Sequence, residues 1–142
     1  MNDKIKTLLE TVNSAKEQYE TAVSKAADVL KQSLSTIVSE LDGVEAIRWE
    51  QYTPYFNDGD ACEFWVNEPR IKFNNTPEDA GDYEDGFIDD YDVKTGKEKE
   101  VFEAVYEIFK SIDDNIFLSA FDDHVQVTVT ADGVEVDEYE HD

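Results

Sequence analysis

The chain has few of the residues on which most enzymes and metalloproteins depend. Its 142 residues include one cysteine, Cys62, and two histidines, His124 and His141. One cysteine cannot form an internal disulfide and is typical of a reducing compartment. The three side chains match no metal-ligand spacing, and no glycine-rich phosphate loop is present. The sequence therefore predicts a protein without enzymatic activity, metal or cofactor.

Long apolar runs are also absent. Asp3, Lys4 and Lys6 precede no uninterrupted apolar segment, so we predict neither a signal peptide nor a membrane span. Hydrophobic residues still make up 40% of the chain and aromatic residues 12%, which is enough for a real core. We therefore expect a single domain over residues 1–142 that is cytoplasmic and has no membrane partner.

Lysine and arginine are absent from two stretches, 76–93 and 113–142, which carry 18 of the 35 acidic residues. The formal net charge is −23, whereas the remaining residues contain 12 basic and 17 acidic side chains, an ordinary surface mixture. Like-charge repulsion disfavours direct binding to nucleic acid. The expected partner is instead a basic protein.

Hydrophobic periodicity predicts an α+β fold with a long N-terminal helix and a small antiparallel sheet that includes a C-terminal hairpin. A second amphipathic helix is expected to pack on the sheet. We expect these segments in the following order: the long helix over 1–42, strands over 43–75, an acidic loop over 76–96, helices over 97–122, the hairpin over 123–138 and an acidic tail over 139–142.

In the N-terminal segment, apolar or small residues recur at steps of three and four from about Asp3 to Leu41. Such a helix would be roughly 60 Å long, which exceeds what a compact domain of this size covers. Either it bends near Ser33 and Ser35, or part of it contacts another chain. A homodimer through this helix thus stays open beside packing against the chain's own core. Gly43 is expected to end the helix in a left-handed conformation.

The strands are expected at 46–52, 61–67 and 70–73. In the C-terminal hairpin, Asp132 and Gly133 are predicted to form the turn, which would pair Val129 with Val136. Outward carboxylates two residues apart on the second strand would stand roughly 6.6 Å from each other, close to the spacing of phosphates on one nucleic-acid strand.

Two blocks of sequence, WEQYTPYFNDGD at 49–60 and DHVQVTVTADGVEVDEYEHD at 123–142, resemble small acidic proteins of bacteriophage and prophage genomes. The resemblance covers about a quarter of the chain and implies a phage setting, hence the cytoplasm of a host cell. It supplies no catalytic residues. Acidic phage proteins that block host defence or DNA-handling machinery are similar in size and charge.

Three classes of function are compatible with this sequence. The leading hypothesis is a non-enzymatic inhibitor whose carboxylates mimic DNA and occupy the basic groove of a host nucleic-acid-binding protein. The carboxylates predicted to contact it are Asp82, Glu84, Asp85, Asp89, Asp90, Asp92, Glu135, Asp137, Glu138 and Glu140. The alternative is a structural or assembly protein that oligomerises through the long helix, with acidity serving only solubility. An enzyme would need a pocket on Trp49, Tyr52, Tyr55 and Asp58, which are better explained as a turn packed by its own aromatic residues.

Overall fold

The computed structural model describes residues 2–54, 62–74, 84–93 and 96–140. The described segments form, in order, α1 (Asp3–Glu40), β1 (Val44–Tyr52), β2 (Trp65–Val66), β3 (Arg70–Phe73), α2 (Lys97–Lys110), α3 (Asp114–Phe121), β4 (Val125–Thr130) and β5 (Gly133–Glu138). Two short 3-10 turns, Glu84–Gly86 and Asp90–Asp92, lie between β3 and α2. The predicted α+β fold, with its long first helix and C-terminal hairpin, is confirmed.

The sheet is antiparallel, and β1 is its central strand. On one side β1 pairs with β4, and on the other its first half pairs with β3 and its end with β2. β5 pairs with β4 at the edge of the sheet. Since side chains alternate along a strand, every second residue of β1 faces the helices and the others form a separate, polar face.

Trp49 is the centre of the face that packs against the helices. Its side chain is fully buried, and its ring makes edge-on contacts with Phe109 at 4.9 Å, Phe121 at 5.7 Å and Phe117 at 5.9 Å between ring centroids. Edge-to-face pairs of this kind contribute about 0.5–1.5 kcal/mol each beyond their buried area. One indole therefore joins β1 to both α2 and α3.

Gln51, the next residue of β1 on the same face, is also fully buried. Its Oε1 accepts a hydrogen bond from Trp49 Nε1 at 2.9 Å. Its Nε2 donates to the carbonyl oxygens of Phe117 at 3.0 Å and Asp122 at 2.8 Å. A buried amide is stable here because its hydrogen-bonding groups meet partners, and these bonds fix β1 against the middle of α3 and against Asp122, which caps its C-terminal end.

Only the second half of α1 belongs to the core. Its buried residues are Ala27, Leu30, Leu34 and Val38, whereas residues 3–22 are exposed along the helix. The helix is unbroken through Ser33 and Ser35, so its length is accommodated by projecting beyond the domain and not by an interruption there. It ends as predicted, with Gly43 at φ 75°. Among the described residues, no helix is long and apolar enough to cross a bilayer.

The predicted hairpin turn is wrong by one residue. The turn is Ala131-Asp132, Thr130 pairs with Gly133, and Val129 pairs with Val134. A two-residue Asp-Gly hairpin turn of type I′ requires positive φ at both residues, and neither Asp132 nor Gly133 has it. In the observed turn the Thr130 hydroxyl accepts a hydrogen bond from Asp132 N–H at 3.2 Å. The alternation could not reveal the error, because the shift keeps the same side chains on each face.

The second strand is shorter than the predicted segment 61–67. Within its described part, residues 62–67, only Trp65 and Val66 are in strand conformation. They pair with Tyr52 and Gln51 at the end of β1. Cys62 is half-buried and lies before the strand. Cys62 therefore belongs to the connection that precedes β2 and not to the sheet.

Asp123 ties the end of β1 to the connection between α3 and β4. The Thr53 backbone N–H and hydroxyl donate to its two carboxylate oxygens, each at 2.7 Å, and His124 N–H donates to Oδ1 at 2.9 Å. Partial burial opposes ionisation, but these hydrogen bonds and the neighbouring His124 outweigh it and lower the pKa of Asp123. Asp122 and His124 have φ of 73° and 56°, a left-handed backbone that the Asp123 hydrogen bonds help to hold.

We predict that Gln51→Leu lowers the free energy of unfolding by about 2–4 kcal/mol, because it leaves the Trp49 indole N–H and two carbonyl oxygens without their partner. Urea unfolding monitored by tryptophan fluorescence measures the loss. The control is Gln126→Leu, which makes the same change at a half-buried position on the other face of the sheet. Equal losses in the two variants would contradict this role of Gln51.

We also predict that Asp123→Asn destabilises the protein by about 1 kcal/mol at pH 7, a value discounted for partial exposure. The pKa of Asp123 is lowered on folding, so its stabilisation is present above the unfolded pKa of about 3.9 and is lost as the pH falls through the folded pKa. The stability difference between wild type and variant should thus vanish in strong acid. Unfolding titrations at several pH values measure it, with exposed Asp132→Asn as control; a difference that persists at low pH would refute the assignment.

Candidate partner-binding groove

The face of the sheet that points away from the helices is polar and charged. Cross-strand pairing aligns its side chains in rows. One row runs across β3, β1, β4 and β5 through Arg70, Arg48, Thr128 and Glu135, and the next contains Glu50, Gln126 and Asp137. Each row thus begins with charged side chains of the central strands and ends with a carboxylate at the sheet edge.

Arg70 and Glu50 form an ion pair in the middle of this face, at the bottom of the groove described below. The guanidinium donates to the Glu50 carboxylate with both Nη atoms, at 2.7 and 2.5 Å. The side chains are only 13% and 7% exposed. A buried charge is tolerated when it is paired in this bidentate geometry, so these two charges largely cancel each other.

Arg48 connects the sheet to residues 84–93, which we call the acidic flap. Its Nε donates to Thr128 Oγ1 at 2.9 Å, its Nη1 donates to Asp85 Oδ2 at 3.2 Å, and its guanidinium lies 4.2 Å from the centre of the Phe87 ring. Phe87 is buried. One arginine therefore combines an ion pair, a hydrogen bond and a cation–π contact to hold the flap.

Backbone pairing gives the flap a second attachment. Ile88 exchanges two hydrogen bonds with Ile71 of β3, both at 3.0 Å, and its side chain is buried. Asp85 has φ 64°, a conformation that aspartate tolerates better than most residues, and Gly86 follows at 82°. This sharp turn carries the chain from the exposed Asp85 into the buried pair Phe87 and Ile88.

Two clefts share Glu50 and Arg70, and the second is bordered by α2. The first, of about 520 Å³, is lined by Arg48, Glu50, Arg70, Asp85, Gln126, Glu135, Asp137 and Tyr139. The second, of about 440 Å³, is lined by Glu50, Asn67, Glu68, Arg70, Asp89, Asp90 and Tyr106. We call the two clefts together the acidic groove. Its lining contains seven carboxylates and two arginines, and both arginines are in ion pairs.

Tyr106 lies among the carboxylates that line the second cleft. Burial raises the pKa of its hydroxyl strongly, and the negative charges of Asp90 and Glu68 raise it further. The phenol therefore stays neutral over the physiological range. It presents a polar but uncharged group among carboxylates.

The structure brings together five of the ten carboxylates that were predicted to contact a partner. Asp85, Glu135 and Asp137 line the first cleft, and Asp89 and Asp90 line the second. These residues come from the acidic flap and from β5, which are distant in sequence. The sheet is what makes them neighbours.

The other five do not line the groove. Asp92 is exposed, and its Oδ2 accepts from Asp89 N–H at 3.1 Å, so it shapes the flap turn. Glu138 lies on the opposite face of β5 from Asp137, because side chains alternate along the strand. Glu140 is exposed beyond the end of β5. Asp82 and the side chain of Glu84 lie outside the described residues.

Sequence reasoning missed Glu50 and Glu68, together with the two arginines. A signal for Glu50 was available, because an inward-facing Trp49 requires Arg48 and Glu50 to point to the opposite face. Glu68 gave no such signal, since it lies in the connection between β2 and β3.

No protein-family model, curated protein or solved structure matches the chain. In the part of the chain that the structure describes, no three histidine, cysteine, aspartate or glutamate side chains are placed to hold a metal ion. The groove is therefore interpreted from its own residues.

We predict that Arg48→Met loosens the acidic flap without unfolding the domain. Loss of the contacts to Asp85, Thr128 and Phe87 should lower the local opening free energy of the flap by about 1.5–3 kcal/mol. The backbone N–H of Ile88 should then exchange with solvent more than tenfold faster, as measured by hydrogen exchange with NMR detection.

The control is Lys72→Met, which removes a positive charge from β3. Lys72 pairs with Glu45 at 3.3 Å, and among the described side chains it forms no ion pair with the flap. Unchanged protection of Ile88 in Arg48→Met, or equal loss in both variants, would show that Arg48 does not hold the flap.

Proposed function

We propose that this chain is a non-enzymatic phage-type protein that binds and inhibits a host nucleic-acid-binding protein by presenting DNA-mimicking carboxylates. The observation that carries the proposal is the acidic groove. Carboxylates from the flap, from the β2–β3 connection and from β5 converge on one side of the sheet. A basic groove that accepts phosphates would find a comparable array of negative charge there.

The charge of the groove is available to a partner. Arg48 is bound by Asp85 and Arg70 by Glu50, while Glu68, Glu135 and Asp137 are exposed. Because β5 is extended, Glu135 and Asp137 are separated by roughly 6.6 Å along the strand, close to the phosphate spacing of one strand. The lysine and arginine side chains of a partner would thus meet two carboxylates that follow each other along β5.

Rigidity of the carboxylates favours tight binding. Glu135 and Asp137 are on a hydrogen-bonded strand, and the flap is anchored through Arg48, Phe87 and Ile88. Preorganised charges lose little conformational freedom on association. The net charge of −23 would in addition steer a basic partner and speed encounter, an effect that falls with ionic strength. Occupation of the partner's groove would exclude nucleic acid, which is the inhibitory step.

The experiment separates the position of the charges from their number. The groove variant Glu68→Gln/Glu135→Gln/Asp137→Asn removes three exposed carboxylates that line the groove. The matched variant Glu40→Gln/Glu100→Gln/Glu107→Gln removes three exposed carboxylates from α1 and α2. Both variants have the same net charge. If the acidity serves only solubility, the two variants should therefore bind a partner equally.

The probes are purified bacterial nucleic-acid-binding proteins with basic grooves, and lysozyme as a basic protein that lacks such a groove. Binding to the immobilised chain is measured at low and high salt, with duplex DNA as competitor. We expect at least one grooved protein to bind, to be displaced by duplex DNA, and to bind the groove variant about tenfold or more weakly, which is 1.4 kcal/mol or more. The matched variant should bind like the wild type.

Equal weakening in both variants would mean that only bulk charge matters. Binding of lysozyme alone, or binding that duplex DNA does not displace, would contradict mimicry. The variants must be as monodisperse as the wild type, which light scattering verifies.

A further inference from the structure

The projecting half of α1 leaves a row of apolar side chains in water. Ile5, Leu8, Leu9, Val12 and Tyr19 are 50%, 62%, 48%, 55% and 51% exposed. They continue the stripe that is buried farther along the same helix, where it packs on the domain. A stripe that is covered in one half of a helix and uncovered in the other indicates an absent partner for the second half.

Charge identifies the partner that fits this stripe. Residues 3–26 contain four lysines and four carboxylates, so the segment is formally neutral and the whole net charge of −23 belongs to residues 27–142. The acidic parts of two copies repel each other, whereas this segment carries no net charge. The neutral, apolar half of α1 is therefore where a second copy can approach.

We propose that two copies of the chain associate through residues 3–20 of α1, packed antiparallel about Val12. In this register Ile5 of one copy lies opposite Tyr19 of the other, and Leu9 lies opposite Ala15. Lys4 lies opposite Glu20, so charges of opposite sign flank the apolar contact. A parallel pair would instead place each lysine beside its own copy.

The antiparallel arrangement also separates the acidic domains. The domain reaches α1 as far as Tyr19, whose hydroxyl accepts a hydrogen bond from Asn115 Nδ2 of α3 at 3.1 Å. Tyr19 is seven residues from Val12, or about 10 Å along a helix that rises about 1.5 Å per residue. The two domains therefore begin about 20 Å apart, more than twice the Debye length of about 8 Å at physiological ionic strength. A parallel pair would bring both domains to the same end, where their charges repel.

This inference does not depend on the proposed function. None of the described residues that line the acidic groove belongs to α1, so both grooves of a dimer remain open. The groove variant described above should accordingly dimerise like the wild type.

Sedimentation equilibrium of the full chain tests the association. We expect a reversible dimer that persists in high salt, because its contact is apolar and locally neutral. Leu8→Glu/Val12→Glu should raise the dissociation constant more than tenfold. The matched variant Ser14→Glu/Thr21→Glu adds the same two charges to the opposite face of α1 and should leave the dimer intact. All four positions are exposed in the single chain, and circular dichroism confirms that the fold is retained.

Disulfide cross-linking tests the orientation, with Cys62→Ser as the background so that no other thiol is present. Mixing an Ile5→Cys chain with a Tyr19→Cys chain should give a cross-linked heterodimer under mild oxidation, because a disulfide needs Cα atoms within about 7 Å. Ile5→Cys alone should stay uncrosslinked. A monomeric wild type, a dimer that survives Leu8→Glu/Val12→Glu, or rapid cross-linking of Ile5→Cys to itself would overturn the proposal.

Discussion

The hydrogen-bonded pair of Trp49 and Gln51 is the constraint on which the remainder of the domain depends. Both side chains are fully buried, and together they contact α2, the middle of α3 and Asp122, the residue that caps α3. A purely apolar core would tolerate small displacements of β1. The carboxamide does not, because its partners are fixed backbone and indole groups whose hydrogen bonds require a narrow geometry.

The position of β1 in turn fixes the chemistry of the opposite face. When Trp49 and Gln51 point inward, Arg48 and Glu50 must point outward, and cross-strand pairing places Arg70 beside them. Arg48 then holds the flap and Glu50 holds Arg70. The two arginines let the chain gather carboxylates on one face without leaving adjacent charges unpaired in its floor, which would cost far more than an exposed repulsion.

Much of this fold could be predicted from local sequence patterns. The start of α1 at Asp3, the left-handed Gly43 and the Asp113 cap, whose carboxylate accepts from Asn115 N–H at 2.8 Å, follow from short-range rules that operate within one turn of chain. The inward parity of Trp49 and of the valines of β4 was equally accessible. Five groove carboxylates were also predicted, because they lie in the two stretches that lack lysine and arginine.

What the sequence did not reveal depends on contacts between distant segments. The hairpin turn was misplaced because two registers bury the same valines, and the alternation of apolar residues does not distinguish them. The role of Arg48 required knowledge that Asp85 and Phe87, nearly forty residues later, return to it. Glu138 was predicted to contact the partner together with Asp137 because the two are adjacent in sequence. Adjacent residues of a strand, however, point to opposite faces of the sheet.

The placement of β5 has a consequence for the behaviour of the chain in concentrated solution. In the described part of the sheet β5 is an edge strand, whose outer backbone groups have no neighbouring strand to bond. Such edges are where proteins stack into aggregates. Glu135, Asp137 and Glu138 put carboxylates on both faces of this short edge, so a second copy of the strand would bring like charges together in every new ladder. The hairpin is therefore protected from fibre-like growth by the same side chains that give the molecule its acidic face.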